Sequence, residues 1–508
     1  MTGTTTLMWF ARHELTLAWR DWAQMMSGGR TTRERAVTVG ALMFVAALHW
    51  LAYAMLVKHL NPEVLASKQT LVIVTATLLL TWSMMLSQAI EQVTRAFYAR
   101  SDLDLILSSP ASSQHVFAVR IGSIALAGAM MTSLLAAPFI NMAAYLDGPR
   151  WLASYGVIAA LSMMATGLAV IGAIALFKSF GPKRTRLIAQ IIAAVVGASL
   201  LIGLQIAAIM LYGNLSRFSV LKSSAVVNAA PSASSMFWLP ANAVLGDALA
   251  VLVLTIAGAA FLAAVVAHYA GQFGTHAVAA AGVSEHSDAK GGAARPFRKL
   301  TTKQALRAKE WTLLRRDPWL ASQTLMQILY LVPPALLLWR DMGADTQVHV
   351  ILAPVLVMAF GQLAGGLAWL AISGEDAPDL VATAPLQRRA LVRAKIESVL
   401  MAIAAVAAPL AAGLAIVSIG GAIATALGIA AAAASAVAIQ MWFRVVATRS
   451  QFRRRQTASR TSTFAEAFSS IFWAGATGFA AAGSLFAIPF AVLALITLGI
   501  AWMISPRA

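Results

Sequence analysis

From Ala248 to Ala267 the chain reads Ala-Leu-Ala-Val-Leu-Val-Leu-Thr-Ile-Ala-Gly-Ala-Ala-Phe-Leu-Ala-Ala-Val-Val-Ala, bracketed by Asp247 and His268. Nothing in it is charged, and a helix of about 20 such residues crosses a hydrocarbon core about 30 Å thick. Runs of this kind recur along all 508 residues, of which 59% are hydrophobic and only 11% charged, with a mean hydropathy of +0.75. A globular domain carries roughly 25% charged residues, so most soluble enzymes are excluded. Lipid offers the backbone no hydrogen-bond partner, and the runs are too long for barrel strands. The fold class expected is all-α, a polytopic membrane helix bundle.

Twelve spans are expected, near 36–57, 70–90, 121–145, 151–177, 187–213, 247–272, 319–339, 348–372, 398–419, 421–443, 464–482 and 484–504. The last two form one nearly continuous apolar stretch, divided only around Gly483. A polar stretch, Gly274 to Lys309, contains the Gly, Ala, Ser and Asp mixture of a flexible linker. It divides the chain into a first membrane half, 1–272, a linker, 273–305, and a second half, 306–508, with six spans in each.

The net charge of +18 does not imply nucleic acid, because Lys and Arg fall in the short segments between spans. An inward N-terminus puts 32 of the 38 basic residues on the cytoplasmic side and six outside. Both termini are then cytoplasmic. Met1 to Arg35 holds five Arg and no early apolar stretch, which does not read as a secretory signal peptide. The run Arg453-Arg454-Arg455 reads as an anchor of an inner loop.

The halves match each other. Glu14-Leu-Thr-Leu-Ala-Trp-Arg20-Asp21 aligns with Glu310-Trp-Thr-Leu-Leu-Arg-Arg316-Asp317, each just before the first span of its half. Asp104-Leu105-Ile-Leu-Ser-Ser-Pro110 aligns with Asp379-Leu380-Val-Ala-Thr-Ala-Pro385, and the match continues to Arg120-Ile121 and Lys395-Ile396. A weaker match pairs Arg184-Thr185 and Ala189 with Arg460-Thr461 and Ala465. Matching loops on one side, with an even number of spans per half, imply parallel repeats related by an axis along the membrane normal.

The first motif reads as an amphipathic helix on the inner membrane surface, with Met8, Leu15, Trp19, Trp22 and Met26 at helical spacing. Anionic lipid gives Glu310 and Asp317 no advantage, so these acids are expected to meet cationic protein groups. In the second motif Pro110 and Pro385 are expected in the first turn of the next helix. The Asp-Leu pairs ahead of them read either as helix punctuation or as a docking segment, in which Leu fills a partner's pocket and Asp meets a basic group.

These residues carry a resemblance. The amphipathic stretch Glu14 to Asp21, the acidic Leu-Pro loop Asp104 to Pro110, six spans per half, Lys309-Glu310-Trp311 and Ser373-Gly374-Glu375-Asp376 resemble permeases of the bacterial ABC type-2 exporter family, here with two six-span halves fused. The resemblance implies a permease subunit of an ATP-driven exporter in the bacterial cytoplasmic (inner) membrane. It implies that Asp104, Leu105, Pro110, Asp379, Leu380 and Pro385 belong to coupling helices that receive force from ABC ATPase subunits. Glu14, Arg20, Asp21, Glu310, Arg316 and Asp317 then belong to connecting helices.

What the sequence lacks narrows the chemistry. It has no GxxxxGK[ST] phosphate loop, so ATP hydrolysis is expected on a separate subunit, and no HExxH or GxSxG constellation marks it as an enzyme. Without cysteine there is no disulfide, thiolate metal site or cysteine nucleophile, and neither cofactor nor metal is expected. Glu91, Lys178, Asp247 and Glu466 sit at span edges, which leaves His49 and His268 as titratable groups inside spans. An ion-coupled carrier using His49, or a non-transporting scaffold, is the alternative reading. Ala136-Ala137-Pro138 and Ala407-Ala408-Pro409 fall midway along the third span of each half, and the small residues of Gly428 to Ala436 read as a buried contact face. Phe237-Trp238-Leu239-Pro240 is expected to form a short helix at the outer leaflet. The partners expected are ABC ATPase subunits and membrane lipid, with an unidentified transported substrate.

Overall fold

The structure, a computed structural model, describes residues 12, 16, 31–57, 65, 67–98, 113–214, 216–272, 300–316, 318–340, 348–373, 381, 383–443 and 460–505. Those residues form helices and no strand. Among the described residues, eight helices are long and apolar enough to cross a membrane. The protein is a multi-pass membrane helix bundle.

In the first part of the chain, α1 is Thr31–Leu56, α2 Lys68–Tyr98 and α3 Ser113–Asp147. A 3-10 turn, Pro149–Ala153, leads into α4, Ser154–Tyr212, which is two helices joined across a break at Gly181. Gly181 has φ 67° and ψ 170°, a conformation open essentially to glycine alone. Thr185 Oγ1 donates to its carbonyl at 2.8 Å. Short helices α5 Arg217–Leu221, α6 Ser224–Ala229 and α7 Leu239–Val244 precede α8, Ala248–Tyr269, which Asp247 caps by accepting from the amides of Leu249 and Ala250.

Further along lie α9 Thr302–Arg316, α10 Pro318–Arg340, α11 Val348–Ser373, α12 Arg388–Val417, α13 Ile419–Phe443, α14 Arg460–Ala481 and α15 Ala487–Ile504. The final apolar stretch is thus two helices, broken at Gly483 with φ 69°.

The chain divides into two compact units, one of Met1–Leu204 with Ser216–Asp288, the other of Gln205–Leu215 with Ala289–Ala508. In the first, the arm of α4 before Gly181 is the interior helix: 67% of its apolar stretch is buried, against 22% for α2, α3 and α8. Val170, Ile174 and Phe177 pack on Val93 of α2 and on Phe117 and Ile121 of α3. The backbone of α8 comes so close that a Cβ on Gly258 would lie 2.9 Å from the Ala160 carbonyl oxygen. In the second unit α11 and α13 are interior, 61% and 56% buried. Val357, Phe360 and Ala364 meet Ala432, Ala436 and Val437. The small-residue run of α13 turns Gly428, Ala432, Ser435 and Ala436 inward, as a contact face requires.

The outer helices expose large apolar side chains, among them Leu249, Leu252 and Ile256 on α8. A soluble protein rarely exposes contiguous apolar surface on this scale, whereas hydrocarbon solvates it without penalty. A short helix does form at Phe237–Pro240, as a 3-10 turn, Met236–Trp238, running into α7; Trp238 is buried with Leu71, Val72 and Ala241, and its Nε1 donates to the Ser232 carbonyl at 2.9 Å. Its neighbours Met236 and Phe237 remain exposed.

Candidate functional site

The site grows from α9, whose start is written in its residues. The backbone amide of Gln304 donates to Thr301 Oγ1 at 3.4 Å, and that of Thr301 donates to Gln304 Oε1 at 3.1 Å, a reciprocal capping box. Within the helix Leu306 and Glu310 are four residues apart on one face, and both are buried. Burying a carboxylate costs several kcal/mol unless it is paired.

Its partners come from two directions. Lys395 of α12 lies 3.2 Å from Glu310 Oε1 and 3.3 Å from Oε2, so one ammonium straddles both oxygens. Lys309 Nζ reaches Oε1 at 3.4 Å. Lys395 also donates to the carbonyl oxygen of Ala371, near the C-terminal end of α11. A cation there satisfies a carbonyl that the helix end leaves open and complements the helix dipole. Three helices therefore meet on one ammonium. Beside this joint, Arg307 Nε and Nη2 donate to Glu397 Oε2 at 2.8 and 2.6 Å, and Arg393 Nε donates to Oε1 at 3.0 Å. This second set is solvated and weaker.

The same contact occurs in the first unit. Arg120, eighth residue of α3 as Lys395 is of α12, is buried and donates from Nη1 to the Ala96 carbonyl at 3.2 Å. In both cases the acceptor lies 24 residues upstream, near the end of the preceding long helix.

Of the expected site residues, Glu310 sits in this joint, and Arg316 is the last residue of α9. Pro385 is exposed in a tight turn, where the Leu386 amide donates to the Ala384 carbonyl at 2.7 Å. The helix starts only at Arg388 with Gln387 as its cap, so Pro385 lies before the helix and not in its first turn. Proline's fixed φ suits the centre of such a turn equally well. Glu14, Arg20, Asp21, Asp104, Leu105, Pro110, Asp317, Asp379 and Leu380, like Arg453 to Arg455, lie outside the described residues.

A second polar feature was hidden at a span edge. Glu466 of α14 is buried, and Gln440 Nε2 of α13 donates to its Oε2 at 2.6 Å. The carboxyl occupies the space over Gly365 of α11, where a Cβ would fall 1.8 Å from Oε1; Ser470 stands over Gly361 and Thr477 over Gly428 in the same way. Glycines thus seat a polar face of α14, which Trp473 extends by donating to Ser435 Oγ at 2.9 Å. The readable signal was the four-residue spacing of Gly361 and Gly365, matched by that of Glu466 and Ser470.

His49 is held between helices. Its Nδ1 lies 2.8 Å from the Val45 carbonyl oxygen, and its Nε2 is 3.3 Å from Asn141 Nδ2 of α3. Asn141 Oδ1 accepts from the Tyr155 hydroxyl of α4 at 2.9 Å. Among the described residues no cluster of three His, Cys, Asp or Glu side chains is placed to hold a metal ion. Compared with protein-family models, curated proteins and solved structures, the chain matches none.

Proposed function

We propose that this protein is the membrane-spanning permease subunit of an ATP-driven ABC exporter, with hydrolysis on a separate ATPase subunit. In this reading twelve helices form two parallel six-helix repeats in a bacterial cytoplasmic membrane, both termini inside. The observation that carries it is the Glu310–Lys395–Ala371 joint. It ties α9, the amphipathic helix ahead of the second half, to α12, the helix that leaves the acidic Leu-Pro loop. A push on that loop therefore moves a rigid group of helices and not a loose tail. The Arg120–Ala96 contact at the same spacing supports the duplication.

The test is Asp104→Ala combined with Asp379→Ala in the reconstituted complex. The expected result is loss of ATPase assembly, or of transport with ATP hydrolysis retained. Unchanged transport and assembly would remove the docking role of both loops.

A further inference from the structure

We infer that the elbow of α4 around Gly181 is a binding site for anionic phospholipid. Its depth in the membrane follows from length. The arm beyond the elbow, Arg184–Tyr212, has 29 residues, about 44 Å of helix, and a bilayer with its headgroups is about 40–45 Å thick. The elbow therefore lies in a headgroup layer, where phosphates are the nearest anions.

The charge presented there has one sign. Lys178, Arg184 and Arg186 are exposed, and Lys183 adds a fourth basic residue within the nine from Lys178 to Arg186. No Asp or Glu occurs between Asp147 and Asp247, and among the described residues none of the three exposed cations makes an ion pair. Basic residues on other helices do: Arg95 with Glu91, Arg307 with Glu397 and Lys395 with Glu310. Cations at phosphate depth with no carboxylate in reach are matched by phosphate, which a guanidinium can grip with two parallel hydrogen bonds.

The backbone holds this arrangement in place. Going around the second arm, Leu187 falls between Arg184 and Arg186, and Thr185 falls opposite all three. Thr185 is fully buried and donates to the Gly181 carbonyl, which fixes the rotation of the arm and turns both arginines outward. No atom lies within 4 Å of the side-chain position of Gly181, so the elbow is open to a headgroup. Phe180 and Leu187 are exposed beside the cations. Apolar side chains among unpaired cations match a layer in which acyl chains begin directly beneath phosphates, and this favours lipid over an acidic protein surface.

The experiment places the full chain in vesicles of phosphatidylcholine mixed with phosphatidylglycerol. The chain has no cysteine, so Ser179→Cys supplies a single thiol for a fluorophore beside the elbow. Quenching by phosphatidylglycerol brominated near its headgroup is compared with quenching by phosphatidylcholine brominated at the same place. The expected result is a preference for phosphatidylglycerol of about fivefold or more, the gain from one basic residue near an anionic surface. Salt at about 1 M should screen most of it. Lys178→Gln combined with Arg184→Gln and Arg186→Gln should abolish it, whereas Arg184→Lys with Arg186→Lys should keep most of it. Equal quenching by the two lipids with the basic residues intact overturns the proposal, whether or not the triple variant assembles. A preference that survives in the triple variant also overturns it, and loss of a copurifying protein alongside that surviving preference would make the elbow a protein-docking surface. Neither ATP nor a partner subunit enters the quenching assay, so its failure is distinct from failure of the exporter reading.

Discussion

At the scale of single residues, the two ion-pair sets beside α9 differ in solvent and should differ in worth. The Glu310 side chain is 2% exposed and Lys395 14%, whereas Arg307 and Glu397 are 46% and 30% exposed. Removing one partner of a buried pair leaves a charge unsolvated, so Glu310→Gln is expected to destabilise the protein by about 3 kcal/mol. Arg307→Ala should cost less than about 1 kcal/mol, and 1 M salt should reproduce its effect but not that of Glu310→Gln. Thermal unfolding of the purified variants in detergent compares them. Equal losses would mean that Glu310 is reached by water. The sequence exposed half of this arrangement: an acid kept on an otherwise basic segment was expected to meet a cation. It did not identify Lys395, because a residue 85 positions away is chosen by packing and not by local pattern.

At the scale of elements, the apolar runs were legible because their length and composition answer to the bilayer: twelve spans were expected, and among the described residues eight helices are long and apolar enough to cross a membrane. The break inside α4 at Gly181 falls between the spans expected at 151–177 and 187–213; the burial of Glu466 was not legible, since it depends on what one helix does to its neighbour. Gly181 can be tested directly. Its backbone conformation excludes a Cβ, so Gly181→Ala is expected to destabilise by about 1–3 kcal/mol, measured by thermal unfolding. Gly365→Ala drives a methyl into the Glu466 carboxyl, and overpacking of this kind costs about 1–3 kcal/mol. Gly172, in the interior arm of α4, has no atom within 4 Å of the corresponding position. Gly172→Ala should therefore be neutral or stabilise by up to about 1 kcal/mol through helix propensity alone. Similar behaviour of Gly365→Ala and Gly172→Ala would show that the carboxyl does not occupy the glycine seat.

At the scale of the whole molecule, the chain forms two compact units that part at Asp288 and Ala289, inside the polar stretch Gly274 to Lys309. Composition sets that stretch apart, because small and polar residues have little to bury. It did not show that Gln205–Leu215, at the end of α4, belongs with the second unit. There Ile209 is fully buried with Leu337, Leu352 and Leu414, and its carbonyl accepts from Arg340 Nη1. The core of the second unit is incomplete without a side chain from far upstream. If residues 1–288 and 289–508 are expressed as separate polypeptides, they are expected to copurify, because the second needs Ile209 from the first. Ile209→Ala removes a buried aliphatic group at a cost of about 2–5 kcal/mol and should weaken that recovery severalfold, whereas Leu211→Ala, at a side chain 65% exposed, should not. Recovery that is equal for the two variants would mean that the polypeptides are held together elsewhere and that the tail of α4 is a passive end.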